Sequence, residues 1–335
     1  MSLDNSFLED PVPQSTQEAI ANYLWNNSRF QLQPYFRYYT DQCRFAVQSY
    51  SGYLPVKTHQ HLINIALDIL NGYPHHEVKA RLVARRTQLG ETDSEESLNG
   101  SIDLTLRLIY MVDVGVFRNA YSGRERLLWD TGTSKTFIEN KVFRAEMRRE
   151  HSGIKLEPVF NVCNIVRIGG FRVELTSNLS DHLLLRDTGV EKSITIFHHA
   201  SFLTGQKQSS LFPDGLVDDT LRTLALLFPQ GNSTTARWYG KHVQDNIEEP
   251  DFNVLKCGPA HRHIDGYKYW HNRLVELKEA FDQARPSTLT QWWNDRRDGV
   301  QWYTLWIAIS LTVFFGLVQS IEGALQVYKA YHPNS

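Results

Sequence analysis

Residues 302–318 read WYTLWIAISLTVFFGLV, and this apolar run without a charged side chain decides the architecture of the chain. Its polar groups are hydroxyls, which a helix can bond to its own backbone. At about 1.5 Å per residue the run covers roughly 25 Å, and residues 319–321 extend it toward the ~30 Å of a hydrocarbon core. We therefore predict one transmembrane helix over residues 302–321.

Aromatic residues flank this run on both sides. Trp302 and Trp306 stand at its beginning, and Tyr328 and Tyr331 follow its end. Such belts mark the two interfaces of a membrane, whereas a buried core helix needs neither the belts nor this length without charge. We expect Trp302 and Trp306 to anchor the helix in the lipid bilayer.

Two further features lie along the same helix. Gly316, Ser320 and Ala324 recur every four residues, a small-residue face that lets a second helix approach closely and predicts a homo-oligomer. Glu322 is a candidate intramembrane polar site, since a carboxylate within hydrocarbon is costly and usually functional. The alternative is that Glu322 already lies among the headgroups, as the marginal length of the span favours.

The topology follows from the residues outside the span. Arg296 and Arg297 precede it, against Lys329 and His332 after it, so the positive-inside rule predicts a cytosolic N-terminal side. The N-terminus lacks the basic and apolar stretches of a secretory signal, and few residues follow the span, which indicates a tail-anchored topology. The endoplasmic reticulum and the outer mitochondrial membrane both fit this prediction.

Composition limits the function classes. The chain has 335 residues and a formal net charge of -2, so it offers no global positive field to a phosphate backbone, and we expect no nucleic-acid partner. The three cysteines lie far apart and form neither a disulfide framework nor a zinc motif. A reducing compartment and an unknown protein partner are the expectation.

The remaining chain predicts an α+β fold, a predominantly helical soluble domain with a small antiparallel sheet. Hydrophobic periodicity indicates a helical hairpin between residues 58 and 89, and helices near residues 217–228 and 270–281. Alternation between Phe171 and His198 indicates the sheet. The predicted organisation is a flexible N-terminus (1–14), a soluble cytosolic domain (15–286) with a candidate boundary at the acidic loop 90–101, a juxtamembrane helix (287–301), the span (302–321) and a short tail (322–335).

No motif predicts catalysis. The sequence from Trp129 to Ser134, WDTGTS, is similar to an aspartic-protease signature, and Asp187-Thr188-Gly189 repeats its core, but both lie in turn-like, partly helical contexts. The paired histidines lack metal-binding spacing, and no glycine loop cradles phosphate. We therefore predict no catalytic residues, no cofactor and no metal, and we expect that the protein is not an enzyme.

Two resemblances add to this interpretation. The stretches YWHNRLVELKEAFDQARPSTLTQWWNDRRDGVQWYTLWIA, FFGLVQSIEGALQVYKAY, FHHASFL and LFPDGLVDDTLRTLALLFP resemble an uncharacterised family of filamentous-fungal proteins with a single C-terminal transmembrane helix. That resemblance implies a single anchor and no known activity. A remoter similarity, at Phe315-Gly316-Leu317, is to the Gly-Met-Asn signature of CorA-type magnesium channels, from which this chain departs at the Met and the Asn and in having no second span.

These observations predict a membrane-anchored binding or scaffold protein. The alternative class is an oligomeric ion-transport component, distantly similar to CorA-type channels, in which Gln319, Glu322 and Gln326 would face a pore. The two classes differ in what Glu322 does. Replacing it by Leu would abolish an ion flux only in the second.

Overall fold

A computed structural model describes most of the chain. The described residues are 2–25, 32–49, 54–115, 126–144, 153–189, 191–244, 249–284, 293 and 299–331. They show the predicted fold class, an α+β domain rich in helices followed by one long apolar helix near the C-terminus. Five helices begin the domain: α1 (Gln14–Trp25), α2 (Gln33–Ser49), α3 (His59–Leu70), α4 (His75–Gln88) and α5 (Glu95–Tyr110).

The segment before α1 differs from the prediction of a flexible N-terminus. Leu3, Phe7 and Val12 are buried in the core, and the backbone N–H of Phe7 donates to Lys57 O at 3.2 Å. These three apolar side chains are removed from water when the segment packs on the domain, which stabilises the packed form. The prediction missed this because the apolar residues are spaced too irregularly to indicate a helix or a strand.

Helix α5 is the centre of the helical part. Every described side chain from Gly100 to Tyr110 is buried, and α2, α3 and α4 pack around the helix. Two carbonyls of its last turn accept hydrogen bonds from α2: Tyr35 Oη donates to Leu108 O (2.8 Å) and Tyr38 Oη to Arg107 O (3.1 Å). Helix α5 is therefore fixed by hydrogen bonds as well as by burial.

The acidic stretch 90–101, predicted as a loop with a candidate boundary, is a loop only in its first part, since α5 begins at Glu95. Ser94 caps α5, because its side chain accepts a hydrogen bond from the backbone N–H of Ser97 at 3.2 Å, and Glu95 and Glu96 lie in the first turn, where the helix dipole favours acids. Residues 89–94 form the connection between α4 and α5. The predicted hairpin of α3 and α4 is confirmed, and it packs on α5 within the same core.

A three-stranded sheet follows, with β1 (Arg172–Thr176), β2 (Leu184–Asp187) and β3 (Lys192–Phe197) in the order β1-β3-β2. Strands β2 and β3 pair antiparallel, as predicted, but β1 pairs parallel to β3, with Val173 opposite Ile194. The sheet is therefore mixed rather than antiparallel. Since parallel strands end at the same edge, the residues after β1 and after β3 lie side by side.

The other described helices of the domain are α6 (Ser134–Phe137) with a π-helical continuation (Ile138–Val142), α7 (Val162–Arg167), α8 (Ala200–Gly205), α9 (Leu216–Leu227), α10 (Ser233–Gln244) and α11 (His271–Gln283). Asp219 of α9 joins α9 to the start of α11, since its Oδ2 accepts the backbone N–H groups of Lys268, Tyr269 and Trp270. The apolar stripes predicted for α9 and α11 are buried.

The last described helix, α12 (Gly299–Tyr331), is longer than the predicted span. It begins before residue 302 and continues through most of the stretch predicted as a short tail, because Gly323 to Tyr331 contain no proline and favour helix. The predicted juxtamembrane helix, 287–301, lies outside the described residues except for Trp293 and the first turn of α12. Arg296 and Arg297 lie outside them as well.

Candidate functional sites

Helix α12 is long and apolar enough to span a membrane. Its apolar part, Trp302–Tyr331, contains 30 residues, and none of it is buried against the described remainder of the chain. At about 1.5 Å per residue it extends over roughly 45 Å, which matches a bilayer with its headgroup regions. A core helix of this composition would be covered by other elements, and α12 is not.

Three tryptophans meet at the beginning of α12. The ring centroids of Trp293 and Trp306 are 4.5 Å apart, and Trp302 lies 5.7 Å from Trp293. Trp302 Nε1 donates to the backbone carbonyl of Trp293 at 3.0 Å. The structure thus brings the two predicted anchor residues, Trp302 and Trp306, together in one aromatic cluster, with the amphipathic character that a membrane interface favours.

The small-residue face of α12 is open. Apart from the local backbone of α12, no heavy atom of the described chain lies within 4 Å of the position that a Cβ on Gly316 would occupy, and Ser320 Oγ donates to Gly316 O at 2.8 Å within the helix. Ser320 therefore needs no partner outside α12. The geometry allows Gly316, Ser320 and Ala324 to contact a second helix closely.

Glu322 lies twenty residues after Trp302 on the same helix. At about 1.5 Å per residue this separates them by ~30 Å along the axis, the thickness of the hydrocarbon core. With Trp302 at one interface, Glu322 stands at the opposite edge of the hydrocarbon. This placement supports the headgroup position over a site at the centre of the bilayer.

The two aspartates of the protease-like motifs do not have the properties of a proton-sharing dyad. Asp130 Oδ1 lies 3.6 Å from Lys141 Nζ, and Asp187 Oδ2 lies 3.5 Å from Lys192 Nζ. The pKa of each carboxyl is lowered, chiefly by a hydrogen bond from a backbone N–H group. For Asp130 this is the N–H of the same residue, and for Asp187 it is the N–H of Gly189. A dyad that shares a proton requires one raised pKa.

Trp129 and the turn that follows it form one wall of a cavity of about 640 Å³, against α4 and α5. Trp129 Nε1 donates to Gly132 O (3.2 Å), and the backbone N–H of His75 at the start of α4 donates to the same carbonyl (3.1 Å). The rings of His75 and Trp129 meet edge to face at 5.1 Å. The WDTG turn is thereby fixed to the first turn of α4, and we call this space the Asp103 cavity. Its lining is Ser49, His75, His76, Lys79, Glu95, Glu96, Asn99, Asp103, Leu128, Trp129 and Asp130.

Asp103 is the unusual group of this cavity. Its side chain belongs to the buried helix α5 and is only 8% exposed, and within the described ranges it has no hydrogen-bond or salt-bridge partner. Burial raises the pKa of Asp103 from 3.8 to about 6, and the charge of Arg107 partly opposes this shift. A buried carboxyl with a strongly raised pKa that lines a cavity is a recognised signal of a functional site.

Gly115 makes room for this carboxyl group. A Cβ on Gly115 would lie 2.5 Å from Asp103 Oδ2, closer than any side chain tolerates, and the residue has φ +105°, which favours glycine. Its backbone N–H donates to Leu127 O at 2.9 Å, which holds it next to the segment carrying Trp129. Neither Asp103 nor Gly115 was identified from the sequence; the available signal was a single acid within the apolar run of a helix.

A second cavity, of about 500 Å³, lies where β1 and β3 end together. Ser177 and Asn178 follow β1, and His198 and His199 follow β3, so this cluster exists because the two strands are parallel. Ser177 Oγ and His199 Nε2 are 2.8 Å apart, and the two histidine rings stack at 4.2 Å. Ligand sites in parallel sheets commonly occupy this edge.

The chemistry of the Ser177–His199 pair is limited. Burial lowers the pKa of His198 to about 4 and holds that of His199 well below its usual value, so both rings are neutral at pH 7 and His199 could accept a proton. However, His199 Nδ1 has no hydrogen-bond partner in the described part of the chain. The pair thus lacks the third group that orients the base in nucleophilic triads.

Neither site has the composition of a metal centre. Throughout the described ranges, no group of three or more His, Cys, Asp or Glu side chains is arranged to hold a metal ion. The described side chains of His261 and His263 are near each other, with centroids 6.3 Å apart, and His75 and His76 both line the Asp103 cavity.

Comparisons of the chain with protein-family models, with curated proteins and with solved structures find no match. The kinship with filamentous-fungal proteins and the remote similarity to CorA-type channels therefore stay predictions.

Proposed function

We propose that the protein is a single-pass, membrane-anchored binding protein that presents its α+β domain to the cytosol. The observation that carries this proposal is α12, whose apolar part is 30 residues long and has no cover from the described domain. Unshielded apolar area of this size is unfavourable in water and favourable in a bilayer. The aromatic cluster at its beginning supports an interface at that end.

Orientation and self-association complete the proposal. The basic pair Arg296 and Arg297 before α12, against Lys329 near its end, supports a cytosolic domain. The open face of Gly316, Ser320 and Ala324 supports a homo-oligomer formed within the bilayer. A formal net charge of -2 supports a protein or small-molecule ligand rather than nucleic acid.

The test uses the full-length protein with an N-terminal tag, beside a version that ends at Asp298. We expect the full-length protein to resist carbonate extraction with its tag digestible by added protease, and the shorter version to be soluble. Organelle fractionation in the same cells decides between the endoplasmic reticulum and the outer mitochondrial membrane. Extraction of the full-length protein by carbonate would overturn the anchor, and a protected tag would overturn the orientation.

A further inference from the structure

The Asp103 cavity holds a carboxyl group that the described part of the chain neither pairs nor exposes. Leaving an ionisable group in such a position costs stability, because an ionised carboxylate is poorly solvated inside a protein. Gly115 accommodates the carboxyl group because its missing side chain leaves space. Asn99, one turn earlier on α5, adds an Oδ1 that is enclosed without a described partner. The Asp103 carboxylate and the Asn99 Oδ1 both accept hydrogen bonds, and neither has a described donor.

The charges around the cavity have one predominant sign. Four carboxyl groups line it, against one ammonium group, that of Lys79. This ammonium group already forms an ion pair with Glu95 at 2.5 Å. Asp130 forms an ion pair with Lys141. Asp103 has no described cationic partner in contact, and a cation that entered the cavity would provide one.

The cavity suits an organic cation better than a metal ion. A metal needs several converging ligands, and the described side chains here do not supply them. An ammonium group needs one carboxylate and further acceptors, which Asp103 and Asn99 provide, and charge-assisted bonds of this kind are strong. Leu128, which is 42% exposed, and Trp129 add apolar and aromatic lining for the carbon skeleton of such a ligand.

We propose that the Asp103 cavity binds an organic amine, with the ammonium group on Asp103 and Asn99 and the carbon skeleton against Leu128 and Trp129. This inference rests on the proposed function, because it names the ligand class of the membrane-anchored binding protein. A cavity of about 640 Å³ accommodates an amine with a sizeable apolar body.

The test compares two ligands of nearly equal shape, benzylamine and benzyl alcohol, on the full-length protein in lipid nanodiscs. Binding is measured by saturation-transfer NMR and by calorimetry at millimolar ligand. We expect benzylamine to bind and benzyl alcohol to bind at least about tenfold more weakly, since only the amine forms the charge-assisted bond. The Asp103→Asn variant is expected to lose this preference, whereas Asp218→Asn, the same change at an exposed site on α9, retains it.

A pH series on the unchanged protein provides a second measurement that does not depend on a variant folding. Benzylamine affinity is expected to rise about tenfold between pH 5 and pH 7.5, because Asp103 ionises in this range. Burial lowers the pKa of His75, which also lines the cavity. Among the described residues, the other charged or titratable groups near Asp103 are His76 and Lys79 of α4, Glu95, Glu96 and Arg107 of α5, and Asp130.

Three results would overturn the proposal: no benzylamine binding, equal binding of both ligands, or an unchanged preference in a folded Asp103→Asn variant. Carbonate extraction of the same expressed protein separates this failure from that of the anchor. If the protein resists extraction but does not bind amines, only the proposal of an amine site fails. If the protein is extracted by carbonate but binds benzylamine through Asp103, the amine site stands and the membrane anchor is refuted.

Discussion

Replacing Asp103 by Asn should stabilise the protein at neutral pH. Burial raises the pKa of this carboxyl from 3.8 to about 6, so the folded state holds a proton that the unfolded state releases. The stability associated with that proton is fully present below pH ~4 and is lost as the pH rises through about 6. The shift corresponds to about 3 kcal/mol at pH 7.5. Asn resembles the protonated acid in shape and carries no charge, so the variant should avoid most of this loss.

The assay is urea unfolding of the full chain in mild detergent, followed by tryptophan fluorescence between pH 4 and pH 7.5. We expect Asp103→Asn and the wild type to have similar stability near pH 4 and to diverge above it. Asp218→Asn is the control; it removes an exposed acid from the first turn of α9 and should cost less than about 1 kcal/mol. The reasoning is refuted if Asp103→Asn is less stable than the wild type at pH 7.5, or if their difference does not depend on pH.

Three further predictions concern the anchor, its self-association and the cavity. Leu311→Arg near the middle of α12 should prevent membrane insertion, at a cost of about 3 kcal/mol or more, whereas Leu311→Ala should still resist carbonate extraction; an inserted Arg variant would contradict a spanning helix. Gly316→Ile should abolish cross-linked oligomers, whereas Val318→Ile, roughly on the opposite side of α12, should leave them intact, and equal cross-linking in both would exclude this face. Gly115→Ala should destabilise the fold by about 1–3 kcal/mol, less so when Asp103 is also replaced by Ala, as a double-mutant cycle of urea unfolding would show; additive effects would mean that the two residues do not interact.

The parts of the fold that were predictable are those that local pattern controls. An apolar run with flanking tryptophans identifies α12 because bilayer thickness imposes a minimum length on a continuous segment. The stripes of α9 and α11 identify amphipathic helices for a similar reason, since helical period and burial repeat along one segment. In each case the information lies within about twenty consecutive residues.

The direction of β1 is a feature that local sequence patterns do not determine. Alternation predicts that 172–176 is a strand, but whether it runs parallel or antiparallel to β3 depends on the path between them, which includes the short helical turn Leu179–Asp181 and strand β2. Because the pairing is parallel, Ser177 and His199 meet at one edge. An antiparallel arrangement would have placed them at opposite ends, so the sheet-edge cavity could not be predicted from the strands alone.

The Asp103 cavity was missed for a related reason. In the sequence, Asp103 stands between Ile102 and Leu104 and resembles the polar residue that any amphipathic helix presents to water. In the structure, however, α2, α3 and α4 surround α5, so the helix has no solvated face for this carboxyl group to occupy. A carboxyl in that position is unfavourable for the fold at neutral pH, and Gly115 leaves just the space that it needs. A residue that costs stability, and that its surroundings accommodate, is better explained by a ligand than by folding.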